Sequence, residues 1–72
     1  MKKLYELPER QNVKLYFENE TDHKEDKVII FDHIDGFYSY CWFDKEKWKL
    51  VHINANTTFV KYKDGYKYVE EK

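Results

Sequence analysis

Asp35-Gly36 stands at the centre of the most apolar stretch of this 72-residue chain, with Val28-Ile29-Ile30-Phe31 before it and Tyr38 to Phe43 after it. Asp-Gly favours a type I′ hairpin turn, whose two central positions both need positive φ, with Asp35 and Gly36 as the loop residues. The spacing predicts a hairpin over 28–43. In it Ile34 faces Phe37, His33 faces Tyr38, Asp32 faces Ser39, Phe31 faces Tyr40 and Ile30 faces Cys41. A polar four-residue loop, Asp44-Lys45-Glu46-Lys47, then returns the chain at Trp48 and sets Cys41 against Leu50 and Ser39 against His52.

The flanking segments continue the strand pattern. Val13, Leu15 and Phe17 alternate with Lys14, Tyr16 and Glu18, which predicts a first strand at about 12–18. Leu7-Pro8 upstream stops any helix begun at Lys2. Asn54 to Asn56 read as a corner, and Lys63-Asp64-Gly65-Tyr66 as the turn of a final hairpin. Short strands at this spacing predict an all-β fold. The expected architecture is a five- or six-stranded antiparallel meander closing into a small barrel, with little or no helix, since closure removes exposed sheet edges. One domain spans 1–72, with 1–10 as an N-terminal extension.

A domain this small must find a staple for its core. Cys41 is alone, so an intramolecular disulfide is excluded, and the three histidines lack the spacing of a zinc site. Aromatics are the substitute: they make up 19% of the chain and bury the most area per residue. No apolar run approaches a membrane span or an export signal, so a cytoplasmic protein without membrane contact is expected. No cofactor or metal is expected.

The inferred register gives the central strands two unlike faces. One carries Ile29, Phe31, His33, Tyr38, Tyr40, Trp42, Lys49, Val51 and Ile53 and reads as the core. The other carries Val28, Ile30, Asp32, Ile34, Phe37, Ser39, Cys41, Phe43, Trp48, Leu50 and His52. A sheet with two apolar faces needs both covered, by the chain's own termini, by a second copy or by a partner. A protein-binding patch follows from the last option: Phe37, Phe43, Trp48 and Leu50 as apolar contacts, with Asp32 and His52 orienting the partner. One bulge in the hairpin would exchange the faces and move that interface to Tyr38, Tyr40 and Trp42. Glu18, Glu20, Asp22, Glu25 and Asp26, opposed only by Lys24, form an acidic stretch that would steer a basic partner.

Two other chemistries use residues of the same strands. Asp32, Ser39 and His52 are the residue types of a hydrolytic triad, but the register puts Ser39 between the other two, where a triad needs His. No enzyme activity is expected from them, and a cross-strand hydrogen-bonding cluster is. His33 and His52 fall on opposite faces in this register, which argues against a shared metal, and Cys41 reads as a core hydrophobe. Lys45, Lys47, Lys49, Lys61, Lys63 and Lys67, interleaved with Trp48, Tyr62, Tyr66 and Tyr68, offer the alternative of single-stranded nucleic-acid binding. Against that alternative stand a net charge of −1 and a single arginine, Arg10.

The run Leu7-Pro8-Glu9-Arg10-Gln11-Asn12-Val13-Lys14-Leu15, leading into a meander with a tight Asp35-Gly36 turn, resembles the opening of SH3-like and Sm-like small barrels. The resemblance implies an SH3-like barrel over residues 7–70. In length and in its Lys-, Asn- and Tyr-rich composition the chain also resembles short accessory proteins of bacteriophages. That likeness implies a non-catalytic module that blocks or redirects a host protein, with homodimerisation as a further use of the second face.

Overall fold

A computed structural model describes residues 1–18, 27–46 and 49–70. Within them the chain is all-β, with seven strands and one 3-10 turn at Leu4–Glu6. The strands are β1 (Lys2–Lys3), β2 (Val13–Phe17), β3 (Lys27–Asp35), β4 (Tyr38–Phe43), β5 (Leu50–Val51), β6 (Thr58–Tyr62) and β7 (Gly65–Val69). They form a single sheet in the order β1-β6-β7-β2-β3-β4-β5. The expected antiparallel meander holds from β2 to β5, but β7 pairs with β2 in parallel, so the sheet is mixed. Nor does the strand ladder close: β1 and β5 remain edges. No described helix is long and apolar enough to cross a membrane.

The β3–β4 hairpin forms where the sequence predicts it, with two corrections. Gly36 and Phe37 are the turn residues and Asp35 pairs with Tyr38, so the register near the turn is Ile34↔Ser39 and His33↔Tyr40. Gly36, at φ +67, takes the first central position, the Gly-X arrangement of a type II′ turn. Beyond His33 a bulge at Asp32 shifts the ladder to Phe31↔Cys41, Ile30↔Trp42 and Ile29↔Phe43. Because side chains alternate with period two, one extra residue exchanges the faces of one strand relative to its partner. Ile29 and Phe31 point inward as expected, but Ser39, Cys41 and Phe43 join them, while His33, Tyr40 and Trp42 point outward. The β4–β5 connection is also one residue longer than expected: the Phe43 N–H donates to the Lys49 carbonyl, and Cys41 pairs with Val51.

The bulge is held by the N-terminal segment. Arg10 and Asn12 take φ of 57 and 54, an unusual pair of left-handed residues that crooks the chain back toward β3. From this crook the Arg10 N–H donates to the Asp32 carbonyl at 2.6 Å, and Glu9 Oε2 accepts from the Ile34 N–H at 2.8 Å. Residues 1–10 also join the sheet and the core: β1 pairs with β6, and Leu4 and Leu7 are buried.

The inward face closes over one core of Leu4, Leu7, Leu15, Ile29, Phe31, Cys41 and Phe59. The corner after β5 stitches the two ends of the sheet together. The Ala55 N–H donates to the Phe37 carbonyl, the Ala55 carbonyl accepts from Tyr5, and the Thr57 carbonyl accepts from Leu4. At the other side the β6–β7 turn is pinned to β2. Asp64 accepts from Lys14 Nζ at 3.0 Å and from the Tyr16 hydroxyl, and Gly65 lies against the Lys14 backbone.

Candidate docking face

With Leu4 and Leu7 packed on the inward face, the outward face of β3, β4 and β5 carries the exposed Tyr38 and Leu50, while Ile30 within it is buried. Its first row crosses the strands as Ile30, Trp42 and Leu50, by the register Ile30↔Trp42↔Leu50. The bulge turns the next row outward as well, and it consists of rings. His33 stacks on Tyr40, with centroids 4.8 Å apart and planes at 14°, and Tyr40 meets His52 edge-on at 5.0 Å. A third row carries Asp35, Tyr38 and Asn54, and Phe37 caps the turn. Phe37 is 79% exposed, Leu50 60% and Tyr38 56%, values that leave apolar surface directly in water.

Hydrogen bonds hold the two imidazoles of this face in fixed orientations. His33 Nδ1 is 2.6 Å from Asp32 Oδ2, and His52 Nδ1 is 3.0 Å from the Ser39 carbonyl. Both partners accept only, so each Nδ1 donates to its partner, and in the matching neutral tautomer Nε2 is the acceptor. Two depressions interrupt the face. One, of about 510 Å³, is lined by Asn12, Lys14, Ile30, Trp42 and Asp44. The other, of about 390 Å³ at the turn end, is lined by Asp35, Tyr38, Tyr40 and His52.

Of the residues the sequence singles out for partner contact, Phe37, Leu50 and His52 share this outward side. Asp32 sits at the bulge and bonds His33. Phe43 points inward against the core, with the Lys27 and Lys49 ammoniums 5.6 and 5.5 Å from its ring centroid. Trp48 and Lys47 lie outside the described residues, as do Glu20, Asp22, Glu25 and Asp26 of the acidic stretch, whereas Glu18 is exposed at the end of β2. Tyr38, Tyr40, Trp42 and His33 join the site through the bulge at Asp32.

The triad types do not converge. Ser39 is fully buried, and its hydroxyl donates to the Ile53 carbonyl at 3.0 Å and accepts from the Ile53 N–H. His52 bonds the Ser39 carbonyl rather than its hydroxyl, and Asp32 bonds His33 instead of His52. His33 and His52 do share a face, contrary to the expected register, but Tyr40 stands between them. Among the described residues no group of three His, Cys, Asp or Glu side chains could hold a metal ion. Cys41 is buried beside Ser39, and burial pushes its thiol pKa up, which leaves it a weak nucleophile.

The lysines divide between faces. Lys61 lies over Tyr66 and Lys49 over Phe43, at the two ends of one inward row that runs through Leu15 and Ile29. Lys63 and Lys67 sit over Tyr62 at 5.1 and 5.0 Å, and Lys63 also reaches Tyr16. Lys45 is exposed in the β4–β5 loop. No family model, curated protein or solved structure matches this chain.

Proposed function

We propose that this chain is a non-catalytic binding module that docks a protein partner on the outward face of β3–β5. The observation that carries the reading is the exposure of Phe37, Tyr38 and Leu50 beside the rings of Tyr40 and Trp42, on a sheet whose other face already holds the core. Aromatic side chains offer large contact area at low entropic cost, and anchors of this type dominate protein interfaces. We read the fold as an SH3-like small barrel left unclosed between β1 and β5, acting in the cytoplasm by occluding a surface of its partner. Such an action suits the bacteriophage accessory proteins the chain resembles. The acid-rich sequence from Glu18 to Asp26 would add long-range attraction for a basic partner.

Single-stranded nucleic acid remains the second reading, favoured by the ammoniums of Lys63 and Lys67 over Tyr62. A stacking platform needs open ring faces, and here the lysines themselves occupy them.

The test compares tagged wild type with Leu50→Asp and with Trp42→Ala, each checked for an unchanged thermal melt, in nuclease-treated lysate of the source cell. A stoichiometric protein bound by wild type and weakened more than about tenfold by Leu50→Asp is the expected result. Equal capture by the variants would remove the face from the account. Loss of all captured material on nuclease treatment, with steep salt dependence, would replace it with nucleic acid. A wild-type dimer that Leu50→Asp dissociates would make the partner a second copy.

A further inference from the structure

The turn end of the outward face is a region without cations in a chain that carries 13 of them. No Lys or Arg occurs from Val28 to Asp44, nor from Leu50 to Val60. Elsewhere four aromatic rings carry their own lysines. Tyr16, Tyr62, Tyr66 and Phe43 each have an ammonium 5.0 to 5.7 Å from the ring centroid. The depression lined by Asp35, Tyr38, Tyr40 and His52 has the same aromatic material and a carboxylate besides. Yet its lining holds no Lys or Arg, and Asp35 makes no ion pair among the described residues.

We propose that this depression is a receptor for one arginine side chain presented by a protein partner. The inference rests on the docking-face reading and names the chemistry of its occupant. A guanidinium suits the three elements present. The Asp35 carboxylate neutralises its charge and accepts its N–H groups. The exposed Tyr38 ring attracts its planar face through its quadrupole, while Tyr40, held between His33 and His52, lines the depression beside it. His52, its Nδ1 committed to the Ser39 carbonyl, has Nε2 as an acceptor for a further N–H. A lysine ammonium offers a compact charge but no flat face to lie on a ring, so arginine is preferred over lysine.

The experiment follows the backbone amide resonances of the full chain as N-acetyl-arginine N-methylamide is added, with the citrulline and lysine analogues in parallel. Arginine is expected to give saturable shifts confined to residues 35–40 and 52–54, lysine a weaker response at the same residues, and citrulline none. Asp35→Asn, on an exposed turn, should weaken arginine roughly fivefold or more, and Tyr38→Leu should remove the preference for arginine over lysine while keeping the site apolar. Citrulline binding as well as arginine, shifts spread over acidic residues elsewhere, or an unaffected Asp35→Asn would each overturn the assignment. The two readings fail separately. A silent titration with capture still lost in Leu50→Asp removes the arginine site and leaves the docking face. Saturable arginine binding with capture indifferent to Leu50→Asp does the reverse.

Discussion

Gly65 and Gly36 show how much one absent side chain decides in a domain this small. A Cβ on Gly65 would lie 2.2 Å from the Lys14 carbonyl oxygen, and that oxygen belongs to backbone locked in the sheet. Gly65→Ala must therefore push β7 off β2, at a cost of about 2–3 kcal/mol, and a thermal melt should show Tm lower by roughly 10 °C or more. Gly36 differs: its Cβ position is open, so Gly36→Ala is limited to the backbone cost of φ +67, about 1 kcal/mol. Asp64, next to Gly65, works by charge. The Tyr16 hydroxyl and then Lys14 hold its carboxyl below the usual carboxylate range. A depressed acid stabilises the fold above its unfolded pKa of about 3.9 and loses that contribution as pH falls through the lower folded value. The same contacts, through Asp64, raise Lys14 and Tyr16, whose contributions are present below about pH 10 and fade above it. Melts from pH 2 to 11 should find Asp64→Asn flatter than wild type at both limbs; parallel curves would remove this contact from the stability account.

At the scale of elements, the bulge at Asp32 is the feature that sorts inside from outside. It needs support, because an extra residue in a strand leaves backbone groups unpaired. Glu9 and Arg10 supply it from the left-handed crook before β2. Glu9→Ala frees the Ile34 N–H, and the expected loss is about 1 kcal/mol with faster amide exchange at Ile34, while Glu9→Gln keeps most of the protection. Unchanged exchange in Glu9→Ala would mean the bulge is held by the hairpin alone. The element also explains the site. Without the bulge, Tyr40 and Trp42 would turn inward with Ile29 and Phe31, and the docking face would have no rings in its centre.

For the whole molecule, the decisive contacts join segments distant in sequence. Leu4 packs with Phe31, Cys41 and Phe59, so the first residues of the chain complete a core built mainly by the middle and the end. Leu4→Ala should cost about 2–5 kcal/mol, a large share of the roughly 4–11 kcal/mol available to a chain of this size. Denaturant unfolding is the measurement, and a loss below about 1 kcal/mol would return residues 1–10 to the status of an extension.

The sequence by itself determined the strand character and most of the strands, five or six of the seven, but did not announce β1. Period-two alternation marks β2, turn residues mark the β3–β4 and β6–β7 hairpins, and Leu7-Pro8 forbids a long helix, all through interactions between near neighbours. Of the docking face, Phe37, Leu50 and His52 stay on the outward side as the sequence places them, because the bulge turns β4 over and the longer β4–β5 connection turns β5 back. Tertiary structure decided the rest. Whether β4 turns Tyr40 or Cys41 inward depends on a bulge whose backbone is satisfied by Glu9 and Arg10, residues more than twenty positions away. The parallel docking of β7 on β2 depends on a close approach at Gly65 that no local pattern announces. Alternation states that a strand has two faces, but only the segments that pack on one of them decide which face meets the core and which is left for a partner.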